Sequence, residues 1–222
     1  MEIQGLERIV EEVRTDFVAR DEAREQALRR SRELTRLCAT AIRATHRGDR
    51  EDAAELLAQA DQVAAEMMKG LVPYPDLLYA GYTQDGLKEL AEAHLMVALL
   101  DRRPLPSPSD LGIPPSTYLN GLCEAASELR RRCLDLLRHG ETAEAERLLE
   151  TMDTVYDALM TFDFPDGVTG GLRRRVDQLR GVLERTRGDV TQALREERLL
   201  AALDRFEAHL GEVGDDRPGD PR

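Results

Sequence analysis

The chain has no tryptophan, and its five tyrosines and four phenylalanines are all the aromatic surface it offers. A sheet protein draws on aromatic and β-branched residues in alternation, and no stretch here shows that pattern. The three cysteines, Cys38, Cys123 and Cys133, are too few and too scattered for a disulfide framework or a zinc site. No apolar run approaches the roughly 18 residues of a membrane helix. The longest of note, Leu95 to Leu100, is ended by Asp101-Arg102-Arg103, so no membrane partner is expected. Lysine is almost missing: apart from Lys69 and Lys88, the 31 basic residues are all arginine. Also missing are GxxxxGK(S/T), GxGxxG, CxxC, HExxH and GxSxG, which removes the common nucleotide, zinc and nucleophile-elbow chemistries.

What remains is an acidic chain of 222 residues with 43 acids, a formal charge of −12 and 41% hydrophobic residues. That hydrophobic content supports a core and excludes wholesale disorder. The charge opposes indiscriminate nucleic-acid binding unless arginines gather on one surface. The N-terminus, MEIQGLERIVEEV, is acidic and amphipathic, unlike a secretory or transit signal, so a cytoplasmic protein is expected.

Ten prolines leave four long stretches free of them, 1–72, 76–103, 116–164 and 166–217. Proline costs about 3 kcal/mol inside a helix, so these gaps are where helices run. Apolar residues at three- and four-residue steps (Leu6, Ile9, Val10, Val13 and Phe17, then Ala27, Leu34, Leu37, Cys38, Ala41 and Ile42) predict one long first helix ending at His46-Arg47-Gly48. Further helices are predicted over about 49–69, 83–101, 116–138 and 141–162. Two more are predicted over 169–187 and 189–211, split at Arg187-Gly188-Asp189. Segment 102–116 reads as a proline-rich loop and Pro165-Asp166-Gly167 as a turn. The expected architecture is all-α: a seven-helix bundle with a long N-terminal helix, one domain over 1–211, and a disordered acidic tail over 212–222.

Carboxylate is the chemistry left. Glu89 and Glu92 stand about 60° apart on one helical face, and Glu124 and Glu128 about 40° apart on another. Like charges so placed repel mildly in an isolated helix, and each pair alone reads as a solvated face. Beyond Glu89 and Glu92, however, the same helix carries Leu87, Leu90, Ala91, Leu95, Met96, Ala98, Leu99 and Leu100 and is apolar nearly all round, the pattern of a buried helix. Around Glu124 and Glu128 lie Asn120, Ser127, Arg131 and Asp135, an ordinary polar side. Four carboxylates brought face to face would need a divalent cation, and oxygen-only ligands select magnesium or manganese. Arginines cluster on the first helix, including Arg24, Arg30 and Arg32 among interleaved acids, then at Arg130–Arg132 and at Arg173–Arg175. The last triplet lies at a helix N-terminus, where the dipole disfavours cations. Histidines 46, 94, 139 and 209 fall mostly near helix ends and read as capping or core residues.

Taken in order, RDEAREQALRRSRELTRLCATAIRATHRGD, GYTQDGLKELAEAHLM, YLNGLCEAASELRRRCLDLLRHGE, VYDAL and GGLRRRVDQLRGVLERTRGD resemble the translin superfamily over about residues 20–188. The likeness is greater to its translin-associated factor X branch. That resemblance implies a seven-helix subunit in a closed, hollow homo-oligomer, commonly of eight subunits. It implies a magnesium- or manganese-dependent endoribonuclease cutting single-stranded RNA, with single-stranded DNA as a further ligand. It also implies that Glu89, Glu92, Glu124 and Glu128 are catalytic and ligate the metal. The catalytic branch commonly has aspartate where this chain has Glu124. Arg24, Arg30, Arg32, Arg131 and Arg132 are the expected RNA contacts. The alternative is a non-catalytic oligomer of translin type that binds single-stranded RNA or DNA.

Overall fold

Proline and glycine set most helix boundaries in the computed structural model, which describes residues 3–215 and the side chains of 3–210. Among these residues there is no strand. Six helices are long: α1 (Leu6–Arg47), α2 (Arg50–Leu71), α4 (Gly81–Asp101), α6 (Pro115–Arg138), α7 (Thr142–Met160) and α9 (Leu172–Asp215). Three are single turns: α3 (Pro75–Leu78), α5 (Pro108–Leu111) and α8 (Asp166–Thr169). Helix α1 stops where the sequence predicts, because Gly48 takes φ 84° and turns its N–H back to Thr45.

The single turns replace parts of the expected loops. Proline occupies the first turn of α3 and α5, where its missing N–H costs nothing. Ser107 and Asp110 close a reciprocal capping box around α5. The expected break at Arg187-Gly188-Asp189 does not occur, and α9 runs through it. A mid-helix glycine costs only about 1 kcal/mol, and contacts on both sides outweigh it. Thr186 and Val190 are buried, Arg187 pairs with Asp153 of α7 at 2.6 Å, and Arg130 of α6 pairs with Asp189 at 2.7 Å. Of the tail expected to be disordered, residues 212–215 continue α9 and 216–222 lie outside the described residues.

Helices α4 and α6 form the middle of the bundle. Helix α4 packs on α1 and α2 on one side and on α6 on the other, and α6 in turn packs on α7 and α9. As the apolar run predicts, α4 is a buried helix, with Leu87, Leu90, Leu95 and Met96 all but inaccessible, while Leu99 and Leu100 near its end are half-buried. Burial of each such side chain is worth about 1.5–3 kcal/mol. Two small residues bring α4 close to its neighbours. Gly86 faces Ser31 of α1, whose hydroxyl donates to the Tyr82 carbonyl at 2.6 Å. Gly121 of α6 lies against the α4 backbone: a Cβ there would stand 2.6 Å from Ala91 Cβ and 2.9 Å from the Lys88 carbonyl.

The apolar residues of the first third of α1 find no cover among the described residues. Leu6, Ile9, Val10, Val13 and Phe17, the opening of the predicted apolar stripe, are exposed, as are Leu199, Leu203, Phe206 and Leu210 late in α9.

The two kinds of helical glycine give opposite expectations in denaturant unfolding. Gly121→Ala forces α4 and α6 apart and destabilises by about 1–3 kcal/mol. Gly188→Ala meets nothing within 4 Å and stabilises by about 0.5–1 kcal/mol if α9 is continuous. A destabilising Gly188→Ala would instead favour a break there.

Candidate metal centre

Because Gly121 admits α4 so closely, the residues one turn further along α6 meet those of α4. Glu124 stands one turn after Gly121, and Lys88, Glu89 and Glu92 line the facing turn of α4. Glu89, Glu92 and Glu124 each bring one carboxylate oxygen to within 4.8 Å of the others, and all three are half-buried. Opposite ligands of one octahedral magnesium ion lie about 4.2 Å apart, so the trio is near a cage in size and consists wholly of hard oxygen donors.

Two cations hold the trio together. Lys88 Nζ lies 2.6 Å from Glu124 Oε2 and 3.3 Å from Glu89 Oε1. Arg175, the last of the triplet at the start of α9, donates to Glu124 Oε1. The dipole penalty on that arginine is thus offset by a carboxylate on the neighbouring helix. Glu92 carries the remaining imbalance. Burial, then the charges of Glu89 and Glu128, push its carboxyl up to about 7, against the pull of Lys88 and Arg175. By formal count the three glutamates exceed Lys88 and Arg175 by one negative charge, so the residues fit a divalent cation on both donor chemistry and charge. Burial, then the charge of Glu89, pushes the Cys38 thiol well up.

Glu128, expected with the other three, is not part of the close trio. Its Oε1 sits 2.8 Å from His46 Nε2. An ionised carboxylate only accepts, so Nε2 carries the proton. His46 is almost fully buried at the end of α1, its Nδ1 unpartnered among the described residues. It is a site neighbour and not merely a helix-end residue.

The expected RNA-contacting arginines do not converge on the carboxylates. Arg24 pairs with Glu25 of its own helix at 2.9 Å, and Arg30 lies 3.8 Å from Glu66 of α2. Arg32 is exposed on α1. Arg30 stands eight residues before Cys38, about 12 Å along the helix. Arg131 is nearer, 4.0 Å from Glu128. Arg132 lines a cleft of about 1240 Å³ with Arg103, Glu144 and Leu148; His46 also lines it, and none of the four glutamates does. Sequence reasoning missed Lys88, His46 and Gly121 as site residues. The only advance signals were the scarcity of lysine and the awkward placement of the arginine triplet.

No family model matches this chain. The uncharacterised protein MJ0175 of Methanocaldococcus jannaschii is 32% identical over 196 residues, spanning 87% of this chain and 86% of that protein. The crystal structure of AfC3PO, a translin-type protein, is 34% identical, covers 86% of this chain and 98% of its own, and matches with a TM-score of 0.78. The chain belongs to the translin superfamily. A second AfC3PO structure, in complex with duplex RNA, matches equally well. Apo-NeC3PO shares the fold at 21% identity and a TM-score of 0.74, over 87% of this chain and 99% of its own. The all-α translin-like architecture is thus as the sequence predicts.

The raised Glu92 carboxyl fixes a pH dependence for this translin-superfamily chain. Below the ordinary glutamate range Glu92 is neutral folded or unfolded and contributes nothing. As pH rises to about 7 the unfolded chain releases the proton more readily, so the folded state loses stability. In metal-free thermal melts, wild type and Glu92→Gln should converge below about pH 4, with Gln increasingly the more stable up to about pH 7. A gap between them that ignores pH would refute the assignment.

Proposed function

We propose that this translin-superfamily chain binds RNA and cuts it as a metal-dependent endoribonuclease of the translin-associated factor X type. The observation that carries the reading is the meeting of Glu89, Glu92 and Glu124 from two helices within 4.8 Å. These three would hold magnesium or manganese, with Glu128 beside them on His46. A bound ion of that kind supplies Lewis-acid polarisation of a phosphodiester and an acidified water. The protein's part is to keep the carboxylates from separating. Gly121 sets the helix spacing, Arg175 orients Glu124, and His46 orients Glu128. Arg131 is the expected phosphate contact nearest the acids.

RNA as the polymer is supported by the relative AfC3PO, whose complex was solved with duplex RNA. Single-stranded RNA remains the proposed substrate, because a confined interior admits a flexible strand more easily than a stiff duplex; single-stranded DNA is a further ligand. The unpartnered apolar stripes on α1 and α9 support self-association, and a closed shell of eight subunits is the assembly proposed.

A second reading rests on the same cluster. Lys88 and Arg175 already neutralise much of it, as befits a translin-type binder whose acids are structural. One assay separates the two. With manganese and labelled RNA, wild type cuts, and Glu89→Ala slows cutting by about 100-fold or more while its gel-shift affinity stays within about twofold. Binding without cutting above the Glu89→Ala background would leave the second reading standing.

A further inference from the structure

We propose that Lys88 is the resident cation of the carboxylate cage, holding the place of the divalent ion in the metal-free chain, and that metal loading expels its ammonium. The inference rests on the metal-centre reading above and adds what fills that centre before metal arrives.

Four observations carry it. Lys88 Nζ bridges the two helices, reaching Glu124 of α6 at 2.6 Å and Glu89 of α4 at 3.3 Å, two of the three carboxylates that form the cage. Its side chain is only 13% exposed, so the ammonium points into the cluster and not toward water. The two oxygens of Glu124 are divided: Oε1 accepts from Arg175 and Oε2 from Lys88. An incoming ion drawn to Glu89 and Glu124 competes with Lys88 for Oε1 of the first and Oε2 of the second, whereas it can leave Arg175 in place. Finally, the residue type suits the role. An ammonium is a compact, strongly hydrated point charge on a flexible stem, able to sit between close oxygens and then swing out; a planar guanidinium fork does neither well. A chain that uses arginine nearly everywhere else has lysine at this position.

The arrangement solves a problem that any such cage poses. Three carboxylates this close repel when no cation is present, and a site built on helix contact would be pushed open. An internal ammonium keeps it closed. The ion then enters a preformed site, and the cost is competition with the lysine.

The chain's composition makes the test direct, because Lys69 is exposed on α2 and serves as an internal reference for Lys88. Full-length protein is labelled briefly with an amine-acylating reagent, with and without manganese chloride, and both lysines are quantified by mass spectrometry. Manganese should raise labelling of Lys88 relative to Lys69 by about threefold or more, since a buried, ion-paired ammonium becomes a free one. In parallel, Lys88→Met should melt lower than wild type without metal and gain more from manganese in a thermal-shift titration. Lys88→Gln serves in its place if Met does not fold, and the labelling arm needs wild type only. If manganese raises the wild-type melting temperature but Lys88 labelling stays level or falls, the ion binds beside the lysine. The proposal is then overturned and the metal centre survives. If manganese shifts neither protein, the metal centre itself fails and the proposal falls with it.

Discussion

The contact between Gly121 and the backbone of α4 is the constraint on which the site depends. Helix axes usually lie about 8–10 Å apart, at a distance set by the side chains between them. Here α6 contributes no side chain at the closest point, and a Cβ would overlap Ala91 and crowd the Lys88 carbonyl. The consequence appears one turn away. The close approach of the backbones brings the carboxylates one turn away within reach of one centre. The apolar residues around the contact, including Leu87, Leu90, Ala125, Ala126 and Leu129, hold the two helices together against the repulsion of the acids. Core packing therefore stabilises an arrangement that electrostatics alone would disperse.

Around that contact the charged and polar groups come from four helices. Helix α4 supplies Glu89, Glu92 and Lys88, α6 supplies Glu124, Glu128 and Arg131, α9 supplies Arg175, and α1 supplies His46. Ion pairs that are largely removed from water add little net stability, because desolvation offsets their attraction. Their value here is geometric. Lys88 restrains Glu89 and Glu124, Arg175 restrains Glu124 and His46 restrains Glu128, so these three acids are oriented before any ligand arrives. Glu92 has no cation within pairing distance among the described residues, and it is the one whose carboxyl is displaced to about 7.

Much of this was legible in the sequence, and the part that was not has a common cause. The bounds of α1, α2 and α7, and the burial of α4, follow from proline gaps, a C-terminal glycine and apolar spacing. Those signals are local, and so are readable. The i,i+3 and i,i+4 spacings gave each acidic pair a face, but spacing cannot say what that face meets. On α6 it suggested an ordinary polar side, yet Asn120 of that side is buried and donates to the Thr169 carbonyl at 2.8 Å. Only the family resemblance singled out Glu124 and Glu128. Partners far apart in the chain, such as Arg175 for Glu124 or His46 for Glu128, leave no trace in periodicity. Gly188 shows the reverse error. A local breaker was read as a break, and distant contacts through Arg130, Asp153 and Val190 overrode it.

The exposed ends of α1 and α9 bear on a separate matter from the site. At about 1.5 Å per residue, α1 spans about 63 Å and α9 about 66 Å, well beyond what one small bundle can cover. Amphipathic helices draw most of their stability from burying the apolar face, and neither exposed stretch does so among the described residues. Both leave apolar surface open to a neighbouring copy. Every residue of the carboxylate cluster, by contrast, comes from a single chain and from parts of the helices that are packed. Assembly is therefore not needed to form the cluster. In the proposed nuclease, neighbouring copies would add enclosure, restricting which polymer reaches an already formed set of acids, so that selectivity and chemistry would reside at different levels of the structure.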